Sequence, residues 1–140
     1  MRDIKYIVIH CTATPQTTTV KSILNYWKTG LKWKNPGYHL IVKPNGDYER
    51  LASDETVCNG VSGYNTNSIH ISYIGGVDSK GKGLDNRTAE QKCVLLTLIK
   101  TMKAKYPNAI VQGHRDFLKK GKSGWKECPC FDAKNEYSCL

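Results

Sequence analysis

Ile4-Lys5-Tyr6-Ile7-Val8-Ile9-His10 is a short β-branched and aromatic run that ends on a histidine, and the fold is read outward from it. Such a run reads as a buried strand that delivers its last side chain to a sheet edge. Ala109-Ile110-Val111-Gln112-Gly113 delivers His114 in the same way. Between them, Thr17-Thr18-Thr19 offers a helix cap, and Val20, Ile23, Leu24 and Trp27 recur at helical spacing until Gly30. Tyr38-His39-Leu40-Ile41-Val42 and Tyr48-Glu49-Arg50 flank Pro44-Asn45-Gly46-Asp47 and predict a hairpin, because Asn-Gly tolerates positive φ. Ser68 to Ile74 predicts a further strand, with Ile69, Ile71 and Tyr73 on one face and Ser68, His70 and Ser72 on the other. Thr88-Ala89-Glu90-Gln91 is a capping box opening the longest helix, Thr88 to Tyr106, whose buried stripe is Val94, Leu95, Leu98, Ile99 and Met102. A short helix is expected from Phe131. Alternating helices and strands with one hairpin predict an α/β fold, a single domain over residues 1–140 with a central mixed β-sheet flanked by helices.

Composition narrows the function classes. Twenty-one Lys and Arg against 12 Asp and Glu give a net charge of +9, which attracts polyanions. The lysines are dispersed, with no basic arm and no nucleic-acid motif, so no specific nucleic-acid partner is expected. Met1-Arg2-Asp3-Ile4-Lys5 runs straight into a strand, and no segment approaches the roughly 20 apolar residues of a membrane span. The expectation is therefore a protein made in the cytoplasm without a signal peptide, and a monomer. Its six cysteines are then reduced thiols. Cys93 lies on a helical apolar stripe and is expected in the core, and Cys11 is expected on the face opposite His10.

The chemistry lies in His10, His114 and Cys128. Imidazole and thiolate are ligands that zinc prefers, and three protein ligands leave the fourth tetrahedral position for water, a hydrolase arrangement. Cys128 sits 14 residues after His114, in Lys126-Glu127-Cys128-Pro129-Cys130-Phe131-Asp132, where Pro129 stiffens the backbone beside the thiol. The spacing lacks the close-paired ligands of a zinc finger. Cys130, two residues on, is an alternative ligand, and as a fourth ligand it would close the site into a structural one. His39 adjoins Tyr38 and should face the other way in a strand; packing is the expected role for His39 and His70. Read alone, Tyr38 is a core aromatic and Lys126 a surface lysine.

Five blocks in order add a resemblance: Ile7-Val8-Ile9-His10-Cys11-Thr12-Ala13-Thr14, Gly37-Tyr38-His39-Leu40-Ile41-Val42, Gly63-Tyr64-Asn65-Thr66-Asn67-Ser68-Ile69, Gly75-Gly76-Val77-Asp78 and Lys126-Glu127-Cys128-Pro129. Together the chain resembles the type-2 N-acetylmuramoyl-L-alanine amidases over roughly residues 4 to 134. Within them it is most similar to the small phage lysozymes, relatives of the peptidoglycan recognition proteins. The resemblance implies a Zn2+ cofactor at one sheet edge, held by His10, His114 and Cys128, with Tyr38 and Lys126 assisting hydrolysis. It implies cleavage of the amide between the lactyl group of N-acetylmuramic acid and L-alanine of the peptidoglycan stem peptide. Trp33, Tyr64 and Asn65 are candidate substrate-binding residues on loops beside the groove. Action on the cell wall would follow lysis or a separate release route. A muropeptide-binding module that does not cut is the alternative, although such modules commonly lack the ligand thiol, which is present here. One departure stands out: many relatives carry a histidine just before the Gly-Tyr-Asn block, where this chain reads Cys58-Asn59-Gly60-Val61-Ser62.

Overall fold

The computed structural model describes residues 2–118 and 127–140. Five strands form one sheet: β1 (Tyr6–Cys11), β2 (Leu40–Val42), β3 (Tyr48–Arg50), β4 (Ser68–Tyr73) and β5 (Ile110–Gly113). Their order is β3-β2-β4-β1-β5, with β1 parallel to both β4 and β5, β2 parallel to β4, and β3 antiparallel to β2. The sheet is thus mixed, its one antiparallel pair being the hairpin that turns at Asn45-Gly46. There Gly46 has φ 93° and Asp47 O accepts from Lys43 N at 2.8 Å.

Strand alternation sorts the two faces. Ile7, Ile9, Leu40, Val42, Ile69, Ile71 and Val111 pack on one side against α2 (Ala89–Lys105), through Leu95, Leu98, Ile99 and Met102. The capping box is present: Thr88 Oγ1 accepts from Gln91 N at 3.0 Å and Gln91 Oε1 from Thr88 N at 3.0 Å. Gln91 is itself buried and donates to the carbonyls of Val42 and Ile74, tying the helix start to two strand ends. Val94 is only partly buried, and Cys93 is exposed rather than in the core. Leu95, Leu98, Ile99 and Met102 face the sheet, and position 93 lies turned away from that stripe toward solvent. Truncating Leu95, fully buried in this layer, to alanine is expected to cost about 3 kcal/mol. A fall in the urea midpoint at unchanged m-value checks this.

The opposite face is covered by α1 (Val20–Asn25), capped by Thr19 Oγ1 and continued by one wider turn to Gly30. Val20, Ile23 and Trp27 pack there on Ile41 and Ile74, with Trp33, Tyr38 and Leu51 at the margin. That cover is partial, and the remainder of this face carries His10, His70 and Ser72, all buried. The short α3 (Ala133–Glu136) lies against β5. Arg87 anchors this terminal segment: its guanidinium donates to Glu136 Oε2 and Asp85 Oδ1, both at 2.8 Å, and lies 3.4 Å over the Phe131 ring. The segment that follows the Cys128 loop is thereby tied to the stretch of chain preceding α2. No helix among the described residues is long and apolar enough to cross a membrane.

Candidate metal centre

Two of the three proposed ligands arrive from the carboxyl ends of neighbouring parallel strands, where open α/β sheets gather side chains, and the third from a loop packed against them. His10 is the penultimate residue of β1, and His114 begins a single 3-10 turn directly after β5. The Cys128 loop is fastened at three points. Arg115 N donates to Cys128 O at 2.9 Å, Tyr73 Oη to Pro129 O at 2.7 Å, and Cys11 N to Cys128 Sγ at 3.1 Å. Gly113 makes room for this loop, since a Cβ there would stand 2.6 Å from Pro129 Cδ.

Although His10 and Cys128 are 118 residues apart, His10 Nδ1 lies 3.9 Å from Cys128 Sγ. One donor atom from each of His10, His114 and Cys128 lies within 4.8 Å of the others. Ligand atoms on a tetrahedral zinc stand roughly 3.3 to 3.7 Å apart, given the usual Zn–N and Zn–S bond lengths. The cluster is close to that spacing, and two imidazoles with a thiol that accepts a backbone N–H suit the ion chemically. Cys130 does not join it. Its Sγ donates to Gly76 O at 3.2 Å and lies 4.0 Å from Cys11 Sγ. That contact with Cys11, together with burial, pushes the Cys130 thiol up. Cys11 is likewise pushed up to about 12, first by its contact with Cys128 and also by burial. Both are held as neutral thiols on the core side of the sheet, with Cys11 facing away from His10 as alternation predicts. Among the described residues no fourth side chain closes the group.

A cleft of about 180 Å³ opens over these ligands, walled by Trp27, Trp33, Tyr38, Asn59 and Gly60. The Tyr38 ring stands 5.0 Å from His10, centroid to centroid, and edge-on to Trp27 at 5.2 Å. Its hydroxyl donates to Cys11 O at 3.2 Å. Burial, reinforced by the neighbouring Cys128 and Cys11, pushes the phenol up, with a hydrogen bond involving Ser72 acting the other way. Tyr38 therefore presents a neutral phenol, already donating a hydrogen bond, at the wall of the cleft. The sequence predicts a strand from Tyr38, but β2 begins at Leu40 and His39 occupies a bend. Alternation consequently fails between the two: His39 lies on the same face as Tyr38's neighbour His10, stacked 5.9 Å from His70.

Trp33 lines the cleft, stacked on Trp27 at 6.4 Å. Trp27, read from the sequence as helix core, is also a wall of the cleft; its helical spacing masks that second exposure. Tyr64 lies elsewhere, packed on Tyr6 and Phe117 at 6.0 and 4.6 Å. Asn65 is turned inward, its Oδ1 accepting from Gly60 N, Val61 N and His70 Nε2. Lys126 lies outside the described residues. Asn59 and Gly60 carried no sequence signal, since their place on the cleft depends on how a loop folds back.

Behind the site, His39 Nδ1 accepts from His70 N at 3.0 Å while its Nε2 donates to Thr56 O at 2.8 Å. Burial pulls the His39 pKa down to about 4, with Arg2 acting in the same direction and the Thr56 bond opposing. Above its ordinary value of 6.5 the ring is neutral in folded and unfolded chains alike. Between 6.5 and about 4 only the unfolded chain takes up the proton, so stability falls as pH falls. The loss should reach roughly 3 kcal/mol by pH 4. Urea unfolding at pH 7 and at pH 4.5 tests this, and His39→Gln should flatten the difference.

Comparison with known proteins gives a consistent picture. The family model described as N-acetylmuramoyl-L-alanine amidase matches residues 1–131. The endolysin of Escherichia phage T7 is 36% identical over 130 residues, covering 91% of this chain and 82% of that protein. The endolysin of Klebsiella phage KP32 is 31% identical over 134 residues, 95% of this chain and 85% of its own length. Among solved structures, the Ph2119 endolysin from the Thermus scotoductus MAT2119 bacteriophage superposes with a TM-score of 0.76 at 25% identity, over 92% of this chain and 79% of that one. PGRP-SA of Apis mellifera shares the fold, with a TM-score of 0.77 at 19% identity over 99% of this chain and 83% of its own.

Proposed function

Because the chain belongs to the N-acetylmuramoyl-L-alanine amidase family, we propose that it hydrolyses the muramoyl-L-alanine amide of peptidoglycan with Zn2+ held by His10, His114 and Cys128. Convergence of three sequence-distant donor atoms at the floor of an aromatic-walled cleft carries this reading. An amide resists water because its carbonyl is resonance-stabilised. Bound Zn2+ supplies Lewis acidity, lowering the pKa of water toward about 7 and polarising a carbonyl.

The remaining work falls to side chains. His10 and His114 would hold the ion as neutral imidazoles and Cys128 as a thiolate, so only one of the three ligands would offset the ion's charge. Tyr38, held protonated, orients the attacking water and donates to the oxygen on which negative charge develops. Lys126, two residues before Cys128, would add a positive charge near that oxygen, the role that the family resemblance implies for it. Trp33 and Trp27 offer flat apolar walls to the sugar or peptide. Asn65 serves the cleft by shaping the loop that carries Gly60. Peptidoglycan or its muropeptide fragments are the substrate in this reading, reached at the cell wall.

Digestion of purified peptidoglycan by the zinc-loaded protein, with mass spectrometry of the products, tests the proposal. Free stem peptides beginning with L-alanine, on otherwise intact glycan, are expected. New reducing sugars, or activity unchanged after chelation, would overturn it.

A further inference from the structure

His70 is a buried imidazole behind His10, beneath the cleft, that the hydrolysis above does not use. It is completely buried on the middle strand β4, on the face that carries His10. Its Nδ1 lies 2.9 Å from His10 Nε2, and its Nε2 lies 2.9 Å from Asn65 Oδ1. The direction of every proton in this chain follows from groups whose role is not in question. Gly60 N and Val61 N are backbone donors and both point at Asn65 Oδ1, at 3.1 and 2.8 Å, so that atom is the acceptor oxygen. His70 Nε2 must then donate to it. In the neutral ring Nδ1 is left as an acceptor, so His10 must donate from Nε2. The atom of His10 turned toward Cys128 is accordingly the lone pair of Nδ1, 3.9 Å from the sulfur.

The surrounding backbone is shaped for this ring. A Cβ on Gly60 would stand 2.3 Å from His70 Nδ1, so the loop approaches the sheet only because residue 60 has no side chain. His39, stacked on the far side, fixes the strand position through the His70 N–H. Loop glycine, strand histidine and loop asparagine form one unit whose output is the orientation of His10.

We propose that His70 is a positioning residue for His10: anchored by Asn65, it fixes the His10 tautomer and ring orientation that present Nδ1 to the metal. This rests on the zinc reading above, and outer partners of this kind typically alter metal affinity 10- to 100-fold.

Zinc stoichiometry of the wild-type protein comes first and tests the metal reading alone. Long-range proton–nitrogen NMR of the His10 ring then reads the tautomer directly, with or without zinc. A proton on Nε2 is expected, and a proton on Nδ1 would overturn the assignment. His70→Leu removes the acceptor and should weaken Zn2+ binding 10- to 100-fold by chelator competition, and change the visible absorption of the Co2+ form. His70→Asn, which keeps an acceptor near the Nδ1 position, should bind within about three-fold of wild type. Gly60→Ala, which forces the ring aside, should resemble His70→Leu. Wild-type affinity and an unaltered Co2+ spectrum in folded His70→Leu would refute the role, and if that variant does not fold, the NMR tautomer decides.

Discussion

Cys128→Ala is expected to abolish stoichiometric zinc binding and to lower amidase activity by on the order of 10³-fold or more, because the ion's contribution to water activation goes with it. The informative control is Cys130→Ser. Both thiols lie in one loop, and the sequence alone allows either to be the ligand. In the fold, Cys128 Sγ faces His10 Nδ1 and accepts from Cys11 N, whereas Cys130 Sγ is committed to Gly76 O. Cys130→Ser should therefore keep its zinc and remain within a few-fold of wild-type activity. Metal analysis of the two purified variants, beside their far-UV circular dichroism, checks the pair. Retention of zinc by Cys128→Ala with loss in Cys130→Ser would invert the ligand assignment.

Tyr38→Phe should lower kcat by about 10² to 10³-fold while leaving KM and zinc content nearly unchanged, the usual effect of deleting one hydrogen-bond donor to a developing oxyanion. The ring is not the issue. Phenylalanine keeps the edge-on contact with Trp27 and removes only the hydroxyl that now reaches Cys11 O at 3.2 Å. Since burial holds that phenol in its protonated form, its expected contribution is donation rather than proton abstraction. Full activity in a zinc-replete Tyr38→Phe protein would assign Tyr38 to packing. Steady-state kinetics on a defined muropeptide, with metal content measured on the same sample, separates these outcomes.

Local signals were enough for the elements that present a single period. Strands β1, β4 and β5, the hairpin at Gly46 and the capping box at Thr88 all appear where their alternation, turn chemistry or cap residues indicate. These features are decided within a few residues of chain, and burial only reinforces them. Errors fell where two neighbours compete for one surface. His39 escapes the alternation expected of it because the strand begins two residues later, at Leu40, and Cys93 is apolar yet points to solvent because helix phase is set by Leu95, Leu98, Ile99 and Met102.

Of the candidate site, the residue types of the proposed ligands and the strand-end placement of the two histidines were legible in the sequence, as was the loop position of Trp33 beside the groove. Trp27 as a cleft wall, Cys128 rather than Cys130 as the sulfur facing His10, and Asn65 and His70 as one hydrogen-bonded unit behind His10 were not. The composition and periodicity of the chain determine an α/β sheet with histidines delivered to its edge, since propensity and burial act on adjacent residues. Which atoms meet there is decided by the parallel register of β4, β1 and β5 and by loops folding back over more than a hundred residues. Contacts at that range depend on three-dimensional closure and leave no period in the sequence.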